Sequence, residues 1–116
     1  MGDPDRDAIR SGFQELVNMT GPELEEWLET EESQAVGWKG AHGRGGESVG
    51  HASGRRIVSI LGKQPSSLSG EDYAHMRKVV GFIRRHSAQR PENIYTSRWR
   101  YSLMNWGHDP TKDETS

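Results

Sequence analysis

The segment Leu68 to Pro91, LSGEDYAHMRKVVGFIRRHSAQRP, is the one stretch of this chain long and periodic enough to form a central helix, so everything else is read as packing on it. Ser69 suits an N-cap with Asp72 as its capping-box partner, and Leu68 and Tyr73 occupy the two positions of a hydrophobic staple. Pro91 sets the end, because it lacks a backbone donor and pushes Arg90 out of helical geometry. With about 100° between successive residues, Tyr73, Met76, Val79, Val80 and Ile83 gather on one side, and Arg77, Lys78, Arg84 and Arg85 on the other. Gly81 falls within the cationic side. It costs roughly 0.5–1 kcal/mol there against Ala, and its missing side chain lets another backbone, of a helix or of a phosphodiester chain, come close.

Around this helix the chain reads as an all-α, compact bundle of about five helices, with a Gly-rich loop between helices 2 and 3. A first helix is expected over Asp5 to Met19, with Ile9, Phe13, Leu16 and Val17 as its stripe. Thr20 and Glu23 form a T-x-x-E capping box, with Met19 stapled onto Leu24. A second helix therefore runs from about Gly21 to Val36, closed by Gly37 as an αL terminator, with Leu24, Trp27 and Leu28 inward and Glu25, Glu26, Glu29, Glu31 and Glu32 outward. Residues 37–54, GWKGAHGRGGESVGHASG, are irregular, with Trp38 as an anchor to the core. A third helix nucleates between Ser48 and Ser53 and turns Ile57, Val58, Ile60 and Leu61 inward. The last helix is capped by Thr96 or Ser97, carries Trp99, Leu103 and Trp106 on its stripe, and stops at Gly107 and Pro110. No hairpin signal is present, so no sheet is expected. The whole chain, 1–116, reads as a single helical domain with its core over about 5–107, and 108–116 as a flexible tail. Trp27, Trp99 and Trp106 are expected in the core.

Composition removes several chemistries. There is no Cys, which excludes disulfides, thiolate zinc sites and cysteine nucleophiles. The mean hydropathy is −0.90, and no apolar run is long enough to span a bilayer or to serve as a signal peptide, so no membrane partner and a cytoplasmic location are expected. The net charge of −2 hides an asymmetry. Residues 1–36 carry ten carboxylates against Arg6 and Arg10, a balance of −8, whereas residues 51–100 carry ten Lys/Arg against Glu71, Asp72 and Glu92, a balance of +7. Such a split points to a polyanion-binding surface, or to two halves that neutralise each other within the fold.

Catalytic and metal motifs do not survive their context. Gly46-Glu47-Ser48-Val49-Gly50 spells a G-x-S-x-G elbow followed by His51, but that elbow needs a strand to deliver the serine onto a strained turn. Ser48 and His51 are expected instead to be loop or cap residues, replaceable by Ala with stability near wild type. Gly45 to Gly50 has the spacing of a phosphate-binding loop, yet His51 stands where Lys is required. The loop's backbone N–H groups could still hold one anion as they feed a helix N-terminus. His75 and His86 lie about 16 Å apart along one helix and cannot share an ion, while His42 and His51 have only Glu47 nearby. No catalytic residue, metal or cofactor is therefore assigned.

The cationic set carries the functional expectation: Arg55, Arg56, Arg77, Lys78, Arg84 and Arg85 around Gly81, with Arg98 and Arg100 on the last helix. Two helices joined by a short turn can present several of these together, as phosphate-contacting surfaces do. WLETEESQAVGW at 27–38, GGESVGHASGRRIV at 45–58, DYAHMRKVVGFIRRHSAQRP at 72–91 and RWRYSLMNWGHDP at 98–110 together resemble the domain-of-unknown-function 3140 family over nearly the whole chain. That resemblance implies no activity and no catalytic residues, though some members bear a generic DNA-binding label. The expected function is a small non-enzymatic nucleic-acid-binding or nucleoid-associated protein with DNA or RNA as partner. The alternative is a protein-interaction adaptor or self-associating module.

Overall fold

The first N–H groups of a helix need acceptors, and the side-chain oxygens of Thr20, Thr30, Ser48, Ser69 and Ser97 each supply one by accepting from the backbone N–H three residues on. These caps divide the chain. The computed structural model describes residues 4–36 and 48–114. In order they form α1 (Pro4–Leu16), α2 (Gly21–Leu28), α3 (Glu31–Ala35), α4 (Val49–Leu61), a 3-10 turn at Pro65–Ser67, α5 (Gly70–Ser87), α6 (Arg98–Asn105) and α7 (Thr111–Glu114), with no strand among the described residues. The all-α expectation is met. Both capping boxes form in full, Thr20 with Glu23 and Ser69 with Asp72. Gly37, Trp38 and the rest of 37–47 lie outside the described residues.

The expected second helix is two helices. Thr30 donates its hydroxyl to Trp27 O at 2.7 Å and accepts from Ser33 N at 3.1 Å, so one side chain closes α2 and opens α3. The bend puts Ser33 in the interior, where it is fully buried.

The α1 stripe packs on α5, and α4 lies against both α2 and α6. Phe13, Leu24, Ile57, Met76, Val79, Ile83, Leu103 and Trp106 make the centre of one continuous core. Trp27 and Trp99 are only half-buried at its edge, each held by its indole N–H: Trp27 to Asn105 Oδ1 at 2.8 Å, and Trp99 to His86 O at 2.6 Å. Amphipathic rings with a polar handle settle at such boundaries. Leu61, expected inside, is 37% exposed, because the buried stripe of α4 is Gly50, Ser53, Gly54, Ile57 and Ile60. Small residues on that stripe let α4 approach its neighbours closely.

Residues 108–112 are packed, not a tail. Gly107, with φ +82°, ends α6 in a Schellman motif: its N–H reaches Met104 O at 2.9 Å and that of His108 reaches Leu103 O at 3.0 Å. The chain then folds back over the α1–α2 junction. His108 Nδ1 pairs with Leu16 O at 2.6 Å, Asn18 exchanges two hydrogen bonds with the backbone of Asp109, and Lys112 Nζ donates to Asn18 O and Glu23 Oε1. Asp109 is locked by Arg100 through Nε and Nη2. Its burial opposes ionisation, but the hydrogen bonds from Arg100 and Thr111 outweigh that and keep its pKa below the usual carboxylate value.

Ser48 is buried and caps α4. Ser48→Ala should therefore not be neutral. It should cost about 1 kcal/mol, the usual loss for an N-cap hydroxyl, read as a lower urea midpoint with an unchanged slope. An unaltered midpoint would show that the α4 start is held by its neighbours alone.

Candidate nucleic-acid interface

On α5 the exposed positions are Gly70 and Glu71 in the first turn and then Ala74, Arg77, Lys78, Arg84 and Arg85, with half-exposed Gly81 at the centre of the cationic face. Arg77 and Arg84 form one stripe beside α1, where Arg84 Nη2 lies over Gly12, and Lys78 and Arg85 form a second stripe on the other flank. Members of each stripe are seven residues apart, about 10 Å along the axis. None of the four makes an ion pair among the described residues. Five cations elsewhere in the described residues do: Arg10 pairs with Asp7, Arg56 and Lys63 with Asp72, Arg100 with Asp109, and Lys112 with Glu23, whereas Arg98 on α6 is exposed and forms none.

Arg56 therefore leaves the expected set. Its Nη2 reaches Asp72 Oδ1 at 3.3 Å while Lys63 Nζ reaches Oδ2 at 2.8 Å, tying α4 to the start of α5. The Lys63 hydrogen bond, with that from Ser69 N–H, holds Asp72 far below the usual carboxylate range despite its burial. Arg55 is exposed on α4, beside a shallow groove with Glu25, Glu29 and His51. Gly81 meets only the end of Arg85: a Cβ there would lie 3.1 Å from Arg85 Nη1 with nothing else within 4 Å. No other backbone uses that gap among the described residues. The close approach in the fold occurs instead at Gly54.

The acidic residues do not cover this surface. Glu25, Glu26, Glu29, Glu31 and Glu32 are exposed on α2 and α3 and form no ion pair among the described residues, and α2 packs on α4 and α6. The two charged faces stay unneutralised by each other.

Behind the Lys78–Arg85 stripe stands a ladder of rings. His86 stacks on Phe82 at 5.0 Å, Phe82 on Trp106 at 4.3 Å, and Trp106 faces His75 at 6.3 Å. His75 Nε2 pairs with Ser53 Oγ at 2.9 Å, whereas the buried Nε2 of His86 has no partner among the described residues. Burial lowers the pKa of both histidines, and the charges of Arg56 and Lys78 lower His75 further. A histidine depressed in the fold binds fewer protons than in the unfolded chain, so its stabilising effect is complete above the unfolded value near 6.5 and is lost as pH falls through the folded value. Urea midpoints should consequently decline between pH 7 and pH 5, and His86→Phe should remove part of the decline. Asp72, with its pKa depressed, adds loss only below about pH 4. A midpoint constant from pH 7 to 5 would contradict the assignment.

The hydrolase-like serine is otherwise engaged. Ser48 Oγ accepts from His51 N at 3.1 Å, and His51 Nε2 is turned to Leu28 O at 2.7 Å, so this ring nitrogen does not face the hydroxyl. Of the Gly45–Gly50 segment expected to offer N–H groups to an anion, residues 45–47 lie outside the described residues, while Ser48 caps α4 and Val49 and Gly50 begin it.

A family model described as "Protein of unknown function (DUF3140)" matches residues 12–104. No curated protein and no solved structure matches the chain.

Proposed function

This chain belongs to the DUF3140 family, a family without an assigned activity, and from its geometry we propose that it is a non-enzymatic nucleic-acid-binding protein that engages phosphates through the exposed face of α5. The observation that carries the reading is the contrast in pairing. Arg10 on α1, Arg56 on α4, Lys63 in the α4–α5 turn, Arg100 on α6 and Lys112 on α7 find carboxylates, while Arg77, Lys78, Arg84 and Arg85 stand exposed and without an ion pair together on one helix face, as Arg98 does singly on α6, among the described residues. A structural account of them reaches only part way. Arg84 and Arg85 lie in the last turn and gain about 0.3–1 kcal/mol each from the helix dipole, but Arg77 and Lys78 lie too far from the terminus for that. Nucleoid association would follow if DNA is the partner.

Gly81 keeps the centre of the α5 face free of side chain, and Arg55 stands apart from that face, on α4 beside Glu25 and Glu29. The test is binding to mixed-sequence duplex DNA, single-stranded DNA and RNA across a salt series from about 50 mM upward, where phosphate contacts reveal themselves by counterion release.

A second reading is favoured by the acidic face of α2 and α3. Two unneutralised faces of opposite sign suit a protein-interaction adaptor or a module that pairs with copies of itself. It predicts that duplex DNA is ignored at moderate salt and that removing Arg84 and Arg85 disrupts a protein complex.

A further inference from the structure

Between the first turn of α4, the Lys78–Arg85 stripe of α5 and the outer side of α6 lies a cleft of about 250 Å³, lined by Val49, Gly50, Phe82, Ser102 and Trp106 under Lys78 and Arg85. We propose that this cleft receives one unpaired base of a single-stranded nucleic acid, with the flanking phosphates on Lys78 and Arg85. The inference rests on the nucleic-acid reading above and names the form of the polymer.

The walls argue for a base rather than for phosphate alone. Trp106 is only 4% exposed, yet its indole N–H makes no hydrogen bond among the described residues. That nitrogen lies beside Gly50, where an added Cβ would stand only 3.1 Å from Nε1, so the absence of a side chain at position 50 keeps the donor reachable from the cleft. The N–H keeps contact with solvent through the cleft, since His86 Nε2 is the one buried side-chain nitrogen or oxygen without a partner among the described residues, and a ligand acceptor can take the place of that water. The half-buried hydroxyl of Ser102 is the second polar group without a partner there, and both can donate to the exocyclic oxygens of a base. Asn105 also lines the cleft, with its amide engaged by Trp27 and Ser33, and the rest of the wall is apolar, from Val49 and the edge of Phe82, whose faces are taken by Trp106 and His86. Aromatic edges carry partial positive charge and pack well against a π face.

Size and charge narrow the occupant. The cleft falls just below the roughly 300–1,000 Å³ of sites that hold drug-sized ligands, enough for one base and too small for a dinucleotide cofactor. Lys78 and Arg85 are spaced about 10 Å along α5, so they flank the opening and meet the backbone on either side of an inserted base. A duplex keeps its bases stacked and cannot supply one without unpairing.

The test compares three labelled probes of equal length at about 50 mM salt: an oligothymidine, the same strand with abasic sites throughout, and a mixed duplex. The oligothymidine should bind at least fivefold more tightly than the abasic strand, the lower end of what base contacts contribute in single-strand binders. Gly50→Ala covers the Trp106 N–H without changing charge and should reduce the oligothymidine to the abasic level while leaving the salt slope unchanged. The abasic comparison needs no protein variant, so it decides the matter even if Gly50→Ala is unstable. Equal binding of abasic and normal strands by the wild type overturns this inference and leaves the phosphate reading intact. No binding of any probe overturns both.

Discussion

Gly54→Ala should be the most damaging glycine-to-alanine change among the described residues, and Gly81→Ala its opposite. A Cβ at Gly54 would sit 2.6 Å from the backbone O of Asn105 and 2.7 Å from Leu28 Cδ2, and the carbonyl cannot rotate away as a flexible side chain would. Relief requires α4 to move off α6. Overpacking of this kind costs about 3 kcal/mol or more at a rigid contact, while the better helix propensity of Ala returns only about 1 kcal/mol. At Gly81 the only neighbour within 4 Å is the end of Arg85, so the same change should stabilise by about 0.5–1 kcal/mol. Urea unfolding of the two variants in parallel checks this. A Gly54→Ala midpoint at or above that of the wild type would mean that α4 and α6 are not in contact as described.

Asn105→Leu should cost nearly as much by a different route. The Asn105 side chain is buried, accepts from Trp27 Nε1 at 2.8 Å and from Ser33 Oγ at 2.5 Å, and donates to Ser33 O at 3.1 Å. It joins α2, α3 and α6 at one point. Leucine is close in size but leaves two donors and a carbonyl without partners, and each such group costs about 1–3 kcal/mol when buried. Trp27 is half-buried and recovers part of its loss from water, so the expected total is about 2–4 kcal/mol by the same rule. Ser33→Ala in the Asn105→Leu background should cost much less than it does alone, since its partner is already gone. Strictly additive effects would show that the network does not act as a unit.

The legible parts of the fold are those in which a local rule decides. Ser69 with Asp72 and Thr20 with Glu23 mark helix starts by chemistry confined to four residues, and the stripe of α5 shows its period over eighteen. Gly107 and Pro110 were readable as stops, but not the return of His108 to Lys112 over the α1–α2 junction, because that depends on Asn18 and Arg100 being brought alongside Asp109. The break at Thr30 has no Gly or Pro to announce it. Thr-Glu-Glu-Ser does contain a cap, and a serine where the box usually has an acid made it quiet. Gly50, Ser53 and Gly54 read by composition as loop, although small residues spaced three and four apart are also how two helices come close.

The candidate interface was legible as charge and not as pairing. Arg56 and Arg77 look alike in the chain, and only the turn that swings Lys63 and Arg56 onto Asp72 separates a committed cation from an unpaired one. The cleft beside Lys78 and Arg85 draws on α4, α5 and α6 at once, so no single segment signals it.

The central claim is that the α5 cations meet phosphates, and the salt dependence of binding addresses it most directly. Each neutralised phosphate contributes about −0.9 to the log–log slope on duplex DNA and about −0.7 on single strands. Replacing Arg84 and Arg85 together by Ala should flatten the slope by between one and two units, with little change in the urea midpoint, since exposed charges contribute only about 0–1 kcal/mol to folding. Gly81→Leu, which keeps every charge, should weaken binding by blocking close approach. A wild-type protein that binds neither duplex, single strand nor RNA near 50 mM salt, or a slope untouched by the double replacement, would contradict the account.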